Sequence, residues 1–228
     1  RDDLFKIAKQ FNLKIITIEA LIKYLKRNVS YLSKSNEANL PTEFGDFKVV
    51  SYRDEITGLE HLVLKKGTFK ENDNVITRIH SECLTGDVFG SRKCDCGNQL
   101  RESMKIIEDK GSGIIIYLRQ EGRGIGIFNK INAYNLQDKG KDTVEANLEL
   151  GFKQDLREYS VAAQILKDLG VNKISLLTNN PLKINGLVEY GIEVIKRIPI
   201  ETEVNRDNRN YIETKIQKMS HMININWR

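Results

Sequence analysis

Apolar residues in the first 28 positions recur at the spacing of an amphipathic helix. Residues 2–11 carry Leu4 and Ile7 on one face, and residues 18–28 repeat the same period. Between them, residues 13–18 read LKIITI, a run rich in β-branched side chains that predicts a short strand. We therefore expect a short N-terminal helical appendage.

A polar stretch separates this appendage from the rest of the chain. Residues 29–39 show no apolar period, and Pro41 and Gly45 follow them closely. We therefore expect three parts: an appendage at 1–28, a linker at 29–39 and a main body at 40–228.

The main body alternates segments of strand type with segments of helix type. Strands are predicted at 47–53, 61–67, 74–80, 113–119, 173–179 and 192–198. Helices are predicted at 99–110, 126–139, 160–170, 181–191 and 210–223. This order predicts the α/β class, with a layered mixed β-sheet flanked by helices and antiparallel pairs at its N-terminal end.

Composition limits the classes of protein to which the chain can belong. Of 228 residues, 40% are hydrophobic and 29% are charged, which suits a globular core and argues against disorder. No apolar run approaches the roughly 18 residues of a membrane span, and no basic segment with an apolar stretch opens the chain. We expect a cytoplasmic protein with no membrane partner. Because the sequence begins at Arg1 rather than at methionine, we also expect a preceding segment.

The net charge of +5 is spread along the chain without an arginine-rich stripe. Nucleic-acid surfaces usually concentrate basic and aromatic residues, so we expect no nucleic-acid partner. A mildly basic chain is compatible with small anionic ligands such as phosphates.

All three cysteines lie close together, in the pattern C-x10-C-x-C formed by Cys83, Cys94 and Cys96. An odd, small number of cysteines argues against a disulfide framework, and three thiolates suit zinc. The alternative, buried cysteines acting as small apolar residues, fits poorly because the window is polar. His80 is the nearest candidate for a fourth ligand, but strand alternation directs it to the face opposite Cys83, which disfavours closure of the shell.

Two further segments combine turn residues with cations. The loop 119–126 holds three glycines and Arg123, which is compatible with a phosphate loop or with an ordinary tight turn. Thr178 begins a strand-to-helix junction that contains Pro181, and Lys183 follows one turn later. This junction is compatible with a simple helix cap or with phosphate binding.

Five segments together resemble the successive signatures of GTP cyclohydrolase II: RIHSECLTGDVFGSRKCDCGNQL, RQEGRGIGIFNKINAYNLQ, DTVEAN, DLREY and LLTNNPLK. The resemblance runs from about residue 40 to about residue 199. It implies zinc-dependent hydrolysis of GTP to 2,5-diamino-6-(5-phospho-D-ribosylamino)pyrimidin-4(3H)-one, formate and pyrophosphate, the first step of riboflavin biosynthesis. It also implies one catalytic zinc per subunit, Mg²⁺ on the nucleotide phosphates, and a homodimer.

The resemblance assigns roles to residues that the patterns alone leave open. It places the zinc on the three cysteines, makes Asp155 a proton acceptor and Arg157 a nucleophile on the α-phosphorus, and puts Tyr134 near ring opening. On residues alone, Asp155 and Arg157 would be a solvated ion pair and Tyr134 a core aromatic. An electrostatic role for Arg157 stays open. The implied GTP contacts are Arg78, Ile79, His80, Ser81, Glu82, Gln99, Glu121, Gly122, Arg123, Thr143, Thr178 and Lys183.

The appendage resembles the closing segment of 3,4-dihydroxy-2-butanone 4-phosphate synthase, a domain fused ahead of the cyclohydrolase in bifunctional proteins. The alternative is an unrelated helical extension. The acidic metal-binding motifs of that synthase are not found in this sequence, so we expect its activity to be missing here.

Two other functions stay open at this point. A zinc-stapled module that binds nucleic acid would need a fourth protein ligand and would not hydrolyse nucleotides. A cyclohydrolase variant that stops at the formamide would release no formate.

Overall fold

The computed structural model describes residues 1–70 and 72–224, so residues 225–228 of the predicted main body lie outside it. Its helices are α1 (Asp2–Gln10), α2 (Ile18–Asn28), α3 (Leu84–Asp87), α4 (Cys96–Lys110), α5 (Gly126–Asp138), α6 (Thr143–Glu149), α7 (Ser160–Asp168), α8 (Pro181–Glu189) and α9 (Arg209–Met219). Its strands are β1 (Leu32–Lys34), β2 (Ala38–Thr42), β3 (Gly45–Asp54), β4 (Glu60–Lys66), β5 (Asn74–Ser81), β6 (Gly113–Leu118), β7 (Lys173–Leu177) and β8 (Glu193–Ile198).

The strands of the described part form one mixed sheet. The order is β1-β3-β4-β6-β5-β7-β8, and β2 also pairs with β3. Every pair from β1 to β6 along this order is antiparallel, whereas β6, β5, β7 and β8 run parallel. The predicted class, a mixed sheet flanked by helices with antiparallel pairs at the N-terminal end, is confirmed.

The central strand β6 shows why helices cover both faces of the sheet. Ile114 and Ile116 point into a core cluster with α7 and α8, while Ile115 points into a second cluster with Met104 and Ile107 of α4. Side chains alternate between faces along a strand, so a run of buried isoleucines requires an apolar layer on each side. The parallel strands between these layers bring their carboxyl ends to one edge, where α/β proteins bind ligands.

The chain divides into two compact units, Arg1–Tyr31 and Leu32–Arg228. The first unit contains α1 and α2, as predicted. The strand predicted at 13–18 is wrong: these residues form no strand, and α2 begins at Ile18. Thr17 caps this helix by accepting a hydrogen bond from the backbone of Ala20 at 3.0 Å, and a capping threonine favours a helix start.

The stretch predicted as a linker, 29–39, contains regular structure. β1 and the first residues of β2 lie within it, and both pair with β3. Neither strand shows an apolar period of its own, so the local pattern predicts no strand there. Pairing with β3 stabilises both strands instead.

The six strands predicted for the main body are all present, and so are its five helices. The short helices α3 and α6 were not predicted. The final helix ends at Met219 rather than 223, because Ser220 adopts a left-handed backbone with φ 53°. None of the described helices combines the length and the apolar character of a membrane span.

We predict that β1 contributes to stability although it is only three residues long. Deleting residues 1–31 spares it, whereas deleting 1–38 removes Leu32, which packs on the core, and the 2.8 Å ion pair from Lys34 to Asp168. The longer deletion should lower the free energy of unfolding by about 1 kcal/mol relative to the shorter one, as expected for losing a partly buried leucine. Urea denaturation measures the difference, and equal stabilities would contradict this role of β1.

Candidate functional site

Two adjoining cavities lie at the carboxyl ends of the parallel strands. The first includes all three cysteines in its lining, and we call it the thiolate cavity. The second is lined by basic side chains, and we call it the cationic cavity. They share the lining residues Ser81, Cys96, Arg123, Arg157 and Tyr211, so one elongated ligand can occupy both.

The cysteines converge from two turns of the chain. Cys83 lies two residues after the end of β5, Cys94 lies two residues before α4, and Cys96 is the first residue of α4. The three sulfur atoms lie within 4.8 Å of one another, and those of Cys83 and Cys94 are 3.7 Å apart. Thiolates at this spacing can hold one metal ion, and thiolate donors suit zinc.

A buried lysine contacts the cluster. The Nζ of Lys130, on α5, lies 3.2 Å from the sulfur of Cys83 and 2.7 Å from Glu121 Oε1. Burial works to lower the pKa of Lys130, but the nearby thiol and carboxylate raise it overall, which keeps the ammonium charged. Hydrogen bonds with Cys94 and Cys96, together with Lys130, lower the pKa of Cys83, whereas hydrogen bonds within the cluster and burial raise the pKa of Cys94. These contacts therefore favour the thiolate form at Cys83.

Asp87, the last residue of α3, fixes Cys83 and His80. Its buried carboxylate accepts from the backbone N–H of Cys83 at 2.9 Å and from the hydroxyl of Tyr117 at 2.8 Å. It also lies 3.1 Å from His80 Nε2, while His80 Nδ1 faces Arg78 at 3.5 Å. Burial lowers the pKa of His80. Because both ring nitrogens are engaged, His80 does not join the cysteine cluster within the described chain.

The cationic cavity gathers five basic side chains: Arg78, Arg123, Arg157, Lys183 and Lys215. Arg78 donates to the carbonyl of Leu177 at 2.9 Å and to Gln99 Oε1 at 2.7 Å, and its Nε is buried without a partner in the described chain. Burial lowers the pKa of Arg78 to about 10. An arginine remains charged at that value near neutral pH, so its unused donor is available to an anion.

Lys183, one turn into α8, is 5% exposed, and its Nζ donates to the carbonyl of Ile79 at 2.7 Å. Burial lowers its pKa well below the usual range, and the charges of Arg78 and Arg157 lower it further. A negative ligand would reverse this effect, because it would stabilise the ammonium form.

Asp155 and Arg157 form a buried pair rather than a solvated one. Their side chains are 14% and 13% exposed, and Arg157 Nε lies 2.9 Å and 3.1 Å from the two carboxylate oxygens of Asp155. Burial works to raise the pKa of Asp155, but the Arg157 guanidinium lowers it overall. For Arg157, Tyr159 and Asp155 outweigh burial and raise the pKa above its usual range.

Most of the other predicted residues line one or both cavities. Tyr134 lines the thiolate cavity, donates to or accepts from Thr85 Oγ1 at 3.1 Å, and is not a core residue. Ile79 lines neither cavity, since its side chain belongs to the core while its carbonyl binds Lys183, and Asp155 lines neither but contacts Arg157, which lines both. The rest line the thiolate cavity (Glu82, Glu121, Gly122 and Thr143), the cationic cavity (Gln99 and Thr178) or both (Ser81 and Arg123).

The glycine-rich loop is a tight turn that also faces the site. Gly122 and Arg123 both have a left-handed backbone, with φ 62° and 63°. A side chain at position 122 would lie 3.0 Å from Ile125 and 3.1 Å from Lys130, so packing against α5 requires glycine there. Both interpretations of this loop, turn and ligand contact, are compatible with the geometry.

Sequence reasoning missed several polar residues of the site. Lys130 lies on the buried side of α5, whose exposed side is also apolar, so the period of the helix does not mark it. Asp87 lies inside the cysteine window without any motif of its own. Lys215 forms a buried 2.5 Å ion pair with Asp95, 120 positions away, and no local pattern predicts such a contact.

Comparison with known proteins identifies the family. Residues 33–199, more than half of the chain, match the protein family described as GTP cyclohydrolase II. The chain belongs to the GTP cyclohydrolase II family. The predicted family is thereby confirmed. The match begins within β1 and ends just after β8.

Curated relatives of this family member are named riboflavin biosynthesis protein RibBA. That of Bacillus cytotoxicus is 50% identical over 223 residues, covering 98% of this chain and 56% of the relative. That of Chlorobium phaeovibrioides is 50% identical over 221 residues, covering 97% and 54%. The chain thus spans about half the length of the curated relatives it matches.

The chain is more distantly similar to a solved structure. That structure is described as RibBX, a two-domain 3,4-dihydroxy-2-butanone 4-phosphate synthase from A. baumannii. It is 24% identical, covers 89% of this chain and 50% of its own, and gives a TM-score of 0.49. The similarity is too weak to indicate a shared activity.

We predict that Gly86→Ala weakens metal binding. A methyl group there would lie 2.8 Å from the sulfur of Cys94 and 3.1 Å from that of Cys83, so the sulfurs must move. Zinc affinity, measured by competition with a chromophoric chelator, should fall roughly tenfold or more.

The matched control is Gly90→Asn, four residues further along the chain and beyond the end of α3. Gly90 has φ +64°, which asparagine tolerates, and nothing lies within 4 Å of the position that a Cβ atom would take there. Unchanged zinc affinity in both variants would contradict the crowding of the sulfurs around Gly86.

Proposed function

We propose that this chain catalyses zinc-dependent hydrolysis of GTP to 2,5-diamino-6-(5-phospho-D-ribosylamino)pyrimidin-4(3H)-one, formate and pyrophosphate, the first step of riboflavin biosynthesis. The observation that carries the proposal is the adjoining pair of cavities, one with a metal-binding donor set and the other with buried cations. A purine with a triphosphate has a reactive ring carbon at one end and negative charge at the other. GTP therefore matches both cavities in chemistry.

The donor set fits zinc as the metal. Cys83, Cys94 and Cys96 supply three thiolates, and Lys130 offsets part of their negative charge. No fourth protein ligand joins them within the described chain, which favours a catalytic site over a structural one and disfavours the zinc-stapled module. Bound there, zinc would supply Lewis acidity and an activated water for attack at the purine C8.

The residues of the cationic cavity would bind and orient the triphosphate. Arg78 and Lys183 come from β5 and α8 and are held by carbonyl oxygens, so they are in place before substrate arrives. Preorganised cations stabilise charge that develops in the transition state without rearrangement. We assign Gln99, Arg123 and Thr178 to the same triphosphate contacts. Mg²⁺ would bind mainly to phosphate oxygens and water.

Arg157 would act at the α-phosphorus as a charged group. Its raised pKa opposes the loss of a proton that a nucleophilic arginine needs, and its two-point contact with Asp155 fixes its orientation. We therefore propose that Arg157 stabilises the negative charge on the departing pyrophosphate, while Asp155 positions it. Attack by its nitrogen on phosphorus is the alternative role.

At the thiolate cavity, Tyr134 would contact the purine during ring opening. Its hydroxyl pairs with Thr85, and burial raises its pKa to about 12, so it is a neutral donor at neutral pH. We assign the remaining contacts to His80, Ser81, Glu82, Glu121, Gly122 and Thr143, and to the carbonyl of Ile79.

The activity would be confined to this family domain. We propose that residues 1–28 derive from a 3,4-dihydroxy-2-butanone 4-phosphate synthase domain and carry none of its chemistry, and that the enzyme works in the cytoplasm.

We also propose a homodimer, because three apolar side chains of α5 are exposed. The exposed fractions of Ile127, Phe128 and Ile131 are 39%, 77% and 50%. An exposed apolar face of this kind is typical of an interaction surface.

We predict that Cys94→Ser and Arg157→Ala separate the two halves of the reaction. Cys94→Ser should lose zinc and formate release, because a thiolate donor is missing. Arg157→Ala should keep its zinc and lose pyrophosphate release by about a hundredfold or more, as expected for removing one preorganised group. Metal analysis measures bound zinc. A formate dehydrogenase assay measures formate release, and a pyrophosphatase-coupled phosphate assay measures pyrophosphate release.

Arg53→Ala, at an exposed ion pair with Glu60, is the matched control and should behave as wild type. Normal pyrophosphate release by Arg157→Ala would remove Arg157 from the chemistry. A wild-type product that retains the formyl group would instead assign the chain to the formamide-forming variant.

We predict that Phe128→Ser shifts the protein from dimer to monomer, because it places a polar group on the exposed face of α5. Sedimentation velocity measures the mass. Ile195→Ser, at a half-exposed position of β8, is the control and should leave the dimer intact. A wild-type protein that sediments as a monomer would contradict the proposed homodimer.

A further inference from the structure

The last described part of the chain reaches the site although the family match ends at residue 199. α9 and residues 220–224 contribute Tyr211, Lys215, Met219 and His221 to the lining of the cationic cavity. None of these residues belongs to the predicted site. Their position raises the question of what they contribute to ligand binding.

The backbone after α9 is fixed in a way that turns it back towards the cavity. Ser220 has φ 53°, a left-handed conformation that reverses the chain. His221 N–H then donates to the carbonyl of Lys215 at 3.0 Å, and Met222 N–H donates to the carbonyl of Asn179 at 2.8 Å. Asn179 belongs to the loop after β7, beside Thr178, so the tail is attached to the phosphate-facing loop.

Lys215 ties the same helix to the opposite wall of the cavity. Its Nζ forms an ion pair with one carboxylate oxygen of Asp95. The other carboxylate oxygen of Asp95 accepts from Gln99 Nε2 at 2.8 Å. Gln99 in turn accepts from Arg78 at 2.7 Å. α9 is therefore linked to a proposed phosphate-binding arginine by a continuous chain of buried polar contacts.

His221 itself has two buried ring nitrogens without a hydrogen-bond partner in the described chain. The charged groups that act on it come from three directions: Lys215 on α9, Lys183 on α8, and Arg157 and Arg123 on loops. Burial and these cations lower the pKa of His221 to about 2. A neutral imidazole among cations lacks any acceptor for its N–H, and leaving that donor unsatisfied costs free energy.

We propose that His221 is a substrate-binding residue that donates a hydrogen bond to a phosphate oxygen of the nucleotide. A phosphate in the cationic cavity would supply the missing acceptor and offset the surrounding positive charge. The proposal rests on the proposed function for the identity of the nucleotide. Its chemistry requires only an anion of the phosphate class.

The first test compares ligands with and without phosphate, using the full zinc-loaded chain and calorimetry. His221→Ala should weaken binding of pyrophosphate about tenfold, since hydrogen bonds to charged groups are worth that much, and should leave binding of guanosine unchanged. His221→Asn, which keeps an N–H donor, should recover part of the loss. Met222→Ala, which keeps the backbone contact with Asn179, should match wild type.

Two results of this comparison would overturn the proposal. One is pyrophosphate binding by His221→Ala that equals wild type. The other is an equal loss of pyrophosphate and guanosine binding, which would indicate a structural role for the tail.

A second measurement identifies the histidine directly. The chain has three histidines, so their imidazole ¹⁵N signals can be assigned with two variants, His221→Ala and His61→Ala. Pyrophosphate should shift the signals of His221. The signals of His61 should not move; this residue lies on β4, and its Nδ1 accepts from the backbone N–H of Arg119 at 3.0 Å. Unmoved His221 signals at saturating pyrophosphate would overturn the proposal.

The two proposals fail separately. If wild type binds pyrophosphate with a shift of His221 but does not hydrolyse GTP, the proposed function is wrong and the phosphate contact stands. If GTP is hydrolysed and the signals of His221 do not respond to pyrophosphate, the phosphate contact is wrong and the proposed function stands.

Discussion

The site depends on two basic side chains that are buried without a carboxylate partner. Arg78 and Lys183 are 3% and 5% exposed, and both donate hydrogen bonds to neutral oxygens. Burying positive charge in this way costs free energy unless an opposite charge arrives. In the proposed function, the phosphates of the nucleotide would supply that charge and offset the cost. Arg157 and Lys215 of the same cavity are instead paired with carboxylates.

The sheet makes this arrangement possible and couples it to the thiolate cluster. β5 carries Arg78 and leads directly to Cys83, so one strand positions a group of each cavity. Its parallel neighbours β6 and β7 end at the same edge, and the buried isoleucines of β6 hold helices against both faces. The apolar core thus determines the separation between the metal-binding end and the anion-binding end, and the length of the substrate must match it.

Much of this fold follows from local pattern, and the exceptions have a physical cause. Apolar and β-branched residues predicted the strands of the main body. β5, β6 and β7 are buried on both faces, whereas β3 and β4 alternate between buried and more exposed positions. The same signal at 13–18 was wrong because no partner strand pairs with it, whereas β1 was missed because its stability comes from β3. The cysteine spacing predicted the thiolate cluster. Lys215 could not be predicted, since its partner Asp95 lies 120 positions away. His221 could not be predicted either, since the next residue, Met222, holds the tail in place by a contact with the distant Asn179.

The central claim is that one nucleotide spans both cavities. A crystal structure of the zinc-loaded protein with a non-hydrolysable GTP analogue tests it most directly. We predict that the purine C8 lies at the metal held by the three cysteines, and that the phosphates contact Arg78, Arg157 and Lys183. A purine in the cationic cavity, or phosphates directed away from these three residues into solvent, would contradict the account.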